Sequence, residues 1–293
     1  MDQWVFSGTI NIGILETDNL RGDSPIALLD TGVDFDNIEL LNNKFINIRE
    51  IINGEDDDLN GFIDDVSGWN FIHRIPMQMD NYKNSHGTSV AGIICSVVPD
   101  SKILSLKVLD DGIVFDEVAF INALNYAESL GAKVVNCSFV FDRYSDNLYQ
   151  YIKKSPMVYI CAAGSDSSNA IVYPSGYRLD NVISVGGLNE NGEISIYSAQ
   201  NDLITIYAPG EKIKVPIIGN KYIETNGTSI AVAFVSSMLN YLLANFQIEI
   251  SAIKRLLVCN STRITTISGK EISFINFKKI VENIKSQNIG GEK

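Results

Sequence analysis

The feature that most constrains the fold is a series of apolar runs, each bounded by turn-forming residues. The runs are continuous rather than alternating, which is typical of strands covered on both faces. They occupy residues 24–30, 101–109, 132–138, 157–164, 181–187 and 202–210. The sequence therefore predicts a buried and largely parallel sheet.

Segments with helical periodicity lie between these runs. The segment 116–132 begins with acidic residues and stops at Gly131, and its spacing predicts one buried face. That predicted face consists of Val118, Ile121, Leu124 and Ala127. Strands that alternate with helices of this length indicate an α/β domain.

Polar residues stand where several predicted strands end. Asp30, Ser138 and Ser165 occupy these positions. In open α/β sheets, ligands bind outside the carboxyl ends of the strands. The sequence therefore predicts a binding site at this edge.

Three short stretches combine reactive side chains with glycine: ALLDTGVD around Asp30, NSHGTSVAG around His86 and NGTSIAVAF around Ser229. A serine hydroxyl needs a base to remove its proton, and a neutral imidazole suits that task near pH 7. The imidazole needs a carboxylate on its other nitrogen. The stretches together predict an acid, a base and a nucleophile. The alternative is that His86 and Ser229 merely cap helices.

The chain contains only two histidines, which limits the choice of base. His73 lacks small neighbours that would let another chain segment approach, so we interpret it as a surface or core histidine. His86 opens a run in which Val90, Ile93 and Ile94 are spaced for burial on one helix face. His86 is therefore the predicted base.

The order Asp, His, Ser is that of the subtilisin arrangement. With AAG at 162–164, YP at 173–174 and APG at 208–210, the sequence resembles subtilisin-family serine proteases over nearly its whole length. The resemblance implies a three-layer α/β fold with a mostly parallel central sheet and helices on both faces. It implies catalytic roles for Asp30, His86 and Ser229. The substrate-binding positions that it implies are Ser138, Phe139, Val140, Ala163 and Gly164.

The oxyanion hole is where the sequence departs most from the family. The backbone N–H of Ser229 is one expected donor, because the positive end of a helix favours a negative oxygen. The second donor of the family is an asparagine, and Ser165 occupies its position. In a subtilisin, removal of that asparagine costs about 10²–10³ in turnover. Asn169 or the Thr228 hydroxyl are alternative donors.

Other departures concern the substrate cleft. Val140 stands where the family has glycine, and its β-branched side chain is expected to crowd the cleft and narrow the specificity. Ser89 and Ala233 also replace family residues, but neither position performs the chemistry.

An acidic loop offers a candidate cation site. Asp56, Asp58, Asn60 and Asp64 surround Gly61 and could supply oxygen ligands to calcium. Many subtilisin-like domains carry a similar loop, and some bind calcium there. The alternative is a solvated acidic turn.

The net charge of −12 argues against a nucleic-acid surface, because the sequence shows no clustered Lys and Arg. An acidic surface suits a basic peptide partner, although solvated charge is the simpler interpretation. No apolar stretch approaches the roughly 20 residues of a membrane span, and the N-terminus lacks a signal pattern. These observations predict a cytoplasmic protein without a membrane partner.

The four cysteines stand singly in apolar runs, at Cys95, Cys137, Cys161 and Cys259. We expect buried thiols in a reducing compartment, and disulfides are the alternative.

We expect one peptidase domain over 1–286 and a flexible tail over 287–293. The predicted function is intracellular serine endopeptidase, with peptide maturation, such as removal of lantibiotic leader peptides, as the preferred role. The alternatives are a general intracellular subtilisin and a weakly active or non-catalytic binding protein.

Overall fold

A computed structural model describes residues 4–7, 12, 24–81, 85–110, 116–165, 167 and 169–287. The helices are α1 (Trp4–Ser7), α2 (His86–Val97), α3 (Glu117–Ser129), α4 (Asp146–Lys154), α5 (Thr228–Asn245), α6 (Ile250–Asn260) and α7 (Phe277–Gln287). The strands are β1 (Ile26–Asp30), β2 (Gly68–Asn70), β3 (Ile103–Lys107), β4 (Val134–Cys137), β5 (Val158–Ala162), β6 (Val182–Leu188), β7 (Ile206–Pro209), β8 (Ile213–Ile217), β9 (Lys221–Thr225), β10 (Thr262–Thr265) and β11 (Glu271–Phe274).

The main sheet has nine strands in the order β10-β11-β7-β6-β5-β4-β1-β3-β2. All neighbouring strands are parallel except β10 and β11. The six apolar runs became β1, β3, β4, β5, β6 and β7, so the predicted parallel sheet is confirmed. After β1 the chain forms β2 and β3 on one side of this strand and then crosses to β4 on its other side, so the strand order reverses at β1. Ligands of open α/β sheets bind at the carboxyl ends of the strands at such a reversal.

Alternate residues of β1 enter two different cores. Ile26 and Leu28 pack in the core that contains α2 and α5, whereas Ala27 and Leu29 pack in the core that contains α3 and α4. This alternation follows from the two-residue period of a strand. Helices therefore cover both faces of the sheet, and the expected three-layer α/β architecture is confirmed.

Helix α5 is the central helix of the first core. Its 18 residues are long and apolar enough to cross a membrane, which corrects the expectation that no stretch approaches this length. However, 94% of its apolar window is buried inside the protein. An apolar helix that is covered on all sides is typical of the core of a large domain.

Helix α3 has a different buried face from the predicted one. Val118, in the first turn, is 68% exposed, and Ile121 is only partly buried. The buried stripe is Phe120, Ala123, Leu124 and Ala127, together with Tyr126. Phe120 offers more apolar area than Val118, so the helix turns that side towards the core. The N-terminus is capped by Asp116, which accepts the backbone N–H groups of Val118 and Ala119.

The cysteine prediction is correct at three positions and wrong at one. Cys95, Cys137 and Cys161 are buried, but Cys259, near the end of α6, is exposed. All four are free thiols. The division into a domain over 1–286 and a tail over 287–293 stays a prediction, since 288–293 lie outside the described residues and Gln287 ends α7.

Candidate active site

Asp30 and His86 meet at the carboxyl end of β1. Asp30 is the last residue of the strand and is fully buried, and the Nδ1 atom of His86 lies 2.7 Å from its Oδ1. The same Oδ1 accepts the backbone N–H of Thr31 at 2.8 Å. A hydrogen bond from Nδ1–H to the carboxylate leaves Nε2 of the imidazole free to accept a proton. The His86 side chain is 29% exposed, so the imidazole remains open to the cleft.

Gly87 permits this pairing, because α2 begins against the turn that follows β1. A Cβ atom at Gly87 would lie 3.2 Å from both Cβ and Oδ1 of Asp30, and closer still to the carbonyl oxygen of Gly32. The backbone N–H of Gly87 donates to Thr31 Oγ1 at 3.0 Å. Only glycine allows the helix to begin this close to the strand.

Two buried charged groups that sequence reasoning missed hold the same turn. Asp80 accepts hydrogen bonds from Thr31 Oγ1 at 3.1 Å and from the N–H and Oγ1 of Thr88 at 3.0 and 2.7 Å. Lys107 is 1% exposed and donates to the carbonyl oxygen of Thr31 at 2.6 Å. The only sequence signals were an aspartate shortly before His86 and a lysine at the end of an apolar run.

The pKa of His86 is raised above its ordinary value. Burial by itself lowers this pKa, but the charge of Asp30, its hydrogen bond and the charge of Asp80 outweigh that effect. A raised pKa makes the imidazole a stronger base. It also means that a larger fraction of His86 is protonated near pH 7 than for a free histidine.

Ser229 lies in the first turn of α5. The N-cap position is Gly227, with a φ angle of 139°, so the alternative that Ser229 is the N-cap is wrong. The carbonyl oxygen of Ser229 accepts from Ser138 Oγ at 3.1 Å, and Thr228 Oγ1 donates to the carbonyl oxygen of Gly164 at 3.1 Å. The start of α5 is thereby held beside the carboxyl ends of β4 and β5. Within the described residues, Ser229 Oγ makes no hydrogen bond of its own.

The predicted oxyanion donors differ in their surroundings. Ser165 is exposed and follows Gly164, whose φ angle is 112°. The Thr228 hydroxyl donates to Gly164 and is therefore turned away from an oxyanion role in this structure. Asn169 is exposed, and its side chain makes no hydrogen bond with a described residue.

The predicted substrate-binding residues line the region around Ser138. Ser138 is buried, and its hydroxyl also lies 2.7 Å from Asn136 Oδ1. Phe139 packs edge-to-face on Phe120, with ring centroids 5.6 Å apart. Val140 is 40% exposed, and its role at a substrate edge stays a prediction. The other two predicted residues, Ala163 and Gly164, are buried at the end of β5.

The acidic loop has a different organisation from the predicted one. Of the four proposed ligands, only Asp58 belongs to the carboxylate cluster among the described residues, which consists of Glu50, Asp58 and Asp65 with oxygens within 4.8 Å of one another. The other three make hydrogen bonds within the loop. The Asp56 carboxylate accepts the backbone N–H groups of Asn60 and Gly61, and the Asp64 carboxylate accepts those of Asn53 and Gly54. The side-chain amide of Asn60 donates to the carboxylate of Asp65.

The cluster fits a hard cation. Glu50 Oε2 and Asp65 Oδ1 are buried and have no hydrogen-bond partner among the described residues. Burial raises the pKa of Asp65, and the nearby charge of Asp58 adds to this effect despite hydrogen bonds from Tyr126 and Asn60. Buried carboxylates are costly unless paired, and calcium takes oxygen ligands of this kind. Glu50 was not predicted as a ligand because it precedes the acidic run, and Asp65 was not predicted because the neighbouring Asp64 fits the spacing equally well.

A parallel α/β sheet with an aspartate, a histidine and a serine at its carboxyl edge is the arrangement of subtilisin-type serine hydrolases. The model of the subtilase family, peptidase S8, matches residues 23–275, and the chain belongs to this family.

Two of the relatives that this chain matches are named as proteases. The chain is 30% identical over 250 residues to subtilisin-like protease 1 of Plasmodium falciparum, covering 73% of this chain and 36% of that protein. It is 30% identical over 234 residues to the major intracellular serine protease of Bacillus subtilis (strain 168), covering 73% of this chain and 66% of that protein. The chain thus spans little more than a third of the length of the first of these relatives.

The fold has solved counterparts. The structure of the prenylagaramide maturation protease PagA superposes with a TM-score of 0.67 at 19% identity, covering 89% of this chain and 93% of that chain. At this identity the likeness concerns the fold.

Proposed function

We propose that the chain is a serine endopeptidase that hydrolyses peptide bonds through an acyl-enzyme. The observation that carries the proposal is the 2.7 Å contact between His86 Nδ1 and buried Asp30. It fixes the imidazole with Nε2 free to act as a base. The position of Ser229 in the first turn of α5 supports the role of nucleophile.

In the proposed mechanism, His86 Nε2 takes the proton from Ser229 Oγ as this oxygen attacks the substrate carbonyl carbon. Asp30 stabilises the imidazolium that forms. The carbonyl oxygen becomes negative and is stabilised by the backbone N–H of Ser229 at the positive end of α5. His86 then gives the proton to the leaving amine. In the second half of the reaction, His86 Nε2 takes a proton from a water molecule as this water attacks the ester. His86 then returns a proton to Ser229 Oγ as the ester bond breaks and the acid product leaves.

Ser165 remains the proposed position of the second oxyanion donor. Its hydroxyl is too short to take over the geometry of an asparagine amide directly, so the donor acts after a loop adjustment or through a water. We expect slower turnover than with an asparagine, because one donor of this kind is worth about 3–4 kcal/mol in the transition state.

We infer that the enzyme has narrow specificity and matures a peptide precursor inside the cell, with a lantibiotic leader peptide as the preferred substrate. Val140, which is exposed beside the proposed substrate edge, supports a crowded cleft. The fold likeness to a maturation protease and the relation to an intracellular serine protease also support a role in peptide maturation inside the cell. A general intracellular subtilisin is the second candidate, favoured by the same relative.

A fluorophosphonate probe tests the catalytic proposal without knowledge of the substrate. The wild-type chain should form a covalent adduct, and the Ser229→Ala variant should form none. An adduct that persists in Ser229→Ala, or no adduct in the wild type, would rule the mechanism out. The second result would favour a non-catalytic binding protein, for which Ser165 is the supporting observation. Profiling of the active chain against a peptide library then distinguishes a processing enzyme from a general degradative one.

We further propose that calcium binds at the acidic loop, with Glu50, Asp58 and Asp65 as ligands. The cation would offset two of the three negative charges and stabilise the loop against Phe62, Trp69 and Tyr126, whose rings pack behind it. It would have a structural role, with no part in the chemistry at Ser229.

A further inference from the structure

A basic groove lies at the edge of the sheet opposite the active site. Its volume is about 560 Å³, and four of the side chains that line it are cationic: Arg178, Lys254, Arg263 and Lys270. The chain that leads into β7, the first residues of β7 and β11, Arg263 of β10 and parts of α6 form its walls. Because β7 and β11 run parallel to the strands that carry the active site, the groove is at the amino edge of the sheet.

Two of the cations are free to bind a partner. Arg178 and Arg263 are exposed and make no side-chain hydrogen bond or ion pair with a described residue. Lys270 makes a loose pair with Asp202 at 3.7 Å, and the carboxylate of Asp202 is fully exposed. Lys254 is half-buried, and burial lowers its pKa although the charge of Asp180 raises it.

The groove also contains an unused polar group. Tyr207 is one of the lining residues, and its hydroxyl is buried without a hydrogen-bond partner among the described residues. A buried hydroxyl without a partner is unfavourable unless another molecule or a water satisfies it. Because this hydroxyl is itself buried, it lies beneath the groove and is not one of the groups that would contact a peptide.

Charge complementarity indicates the class of partner. The protein has a net charge of −12, so a local group of four cations contrasts with its overall charge. Asp202 and Glu271 also line the groove. They would repel the closely spaced charges of a polyphosphate backbone, whereas a peptide with separated carboxylates can avoid them.

We propose that this groove is a docking site for an acidic peptide segment, whose Asp or Glu side chains pair with Arg178 and Arg263. Docking here is separate from cleavage and would hold a peptide partner at a distance from the proposed catalytic cleft. The proposal does not depend on the proposed function, since binding is measurable in a chain that lacks Ser229.

The test uses the full chain with Ser229→Ala and a fluorescent peptide that carries several glutamates. Fluorescence anisotropy is measured at low and at physiological salt. A peptide of the same length with glutamine in place of each glutamate is the ligand control. The groove variant is Arg178→Gln with Arg263→Gln. The matched variant is Lys278→Gln with Lys285→Gln, two exposed lysines of α7 that change the net charge equally.

We expect the groove variant to bind the acidic peptide about fivefold more weakly, as estimated from the loss of two exposed ion pairs. The α7 variant should bind it as the parent does, and the glutamine peptide should bind poorly to all three. Equal loss in both variants would overturn the proposal, since net charge alone would explain it. So would undetectable binding, equal binding of the glutamine peptide, or a preference for inorganic polyphosphate with the same dependence on the two arginines. A thermal melt of each variant shows that the fold is retained.

Discussion

Replacement of Gly87 by alanine tests whether the close contact between α2 and β1 creates the proposed catalytic pair. The added Cβ would stand 3.2 Å from Cβ and Oδ1 of Asp30, and under 3.0 Å from the carbonyl oxygen of Gly32. Favourable carbon contacts need about 3.5 Å, so the start of α2 must move away by about 1 Å. His86, the residue before Gly87, moves with it.

The magnitudes of the two effects differ. Overpacking of this size costs about 1–3 kcal/mol in stability, and the better helix propensity of alanine offsets up to about 1 kcal/mol. A displacement of about 1 Å at a catalytic group costs about 10²-fold in rate. We therefore expect Gly87→Ala to lower the rate of fluorophosphonate labelling about 100-fold, with a moderate decrease in Tm.

Gly92→Ala is the matched control on the same helix. Its Cβ would clash with the ring of Pro216 in β8, far from Asp30. This variant should lose Tm but retain most of its labelling rate. The reasoning is refuted if Gly87→Ala labels within about tenfold of wild type, or if the two variants lose rate equally.

Three further results are expected. Asp80→Asn should lower the pKa of His86, because the charge of Asp80 raises it. If the neutral imidazole is the base, as proposed, labelling rises with pH through this pKa, so the acid limb of the labelling rate should move to lower pH. An unchanged limb would contradict the role of Asp80. Calcium should raise the Tm of the wild type. The double variant Glu50→Gln with Asp65→Asn lacks two of the buried carboxylates, so it should have a higher Tm than the wild type in chelator and should show no response to calcium. A Tm response that persists in this variant would place the cation elsewhere. Ser165→Asn should speed turnover of a peptide substrate by up to about 10²-fold, and unchanged or slower turnover would show that a competent donor is already present.

The six buried strands were predictable from the sequence because each is mostly apolar and is buried along its whole length. β1, β3, β4, β5, β6 and β7 all lie in runs of this kind. β9 was not identified, since every residue from Lys221 to Glu224 is exposed and the local pattern carries no burial signal. Its pairing with β8 depends on a partner strand rather than on hydrophobicity.

The residues of the candidate site likewise divide into those with a strong local signal in the sequence and those without one. Asp30, His86 and Ser229 carry local signals, because each stands in a glycine-containing motif at the end of a strand or the start of a helix. Asp80 and Lys107 carry only weak signals, as an aspartate shortly before His86 and a lysine at the end of an apolar run. Their importance comes from burial against Thr31, which neither residue adjoins in the sequence.

The sequence by itself determined the parallel α/β fold, the subtilase resemblance and the choice of Asp30, His86 and Ser229 as candidate catalytic residues, because these depend on periodicity and on short motifs. Only the tertiary structure decided which carboxylates surround the candidate cation site and that the first turn of α5 contains Ser229 without using it as a cap. It also brought together the cations of the basic groove, from Arg178 to Lys270, which no sequence cluster indicates. Charge and burial act through space, so their consequences follow the packing of distant segments rather than the order of residues along the chain.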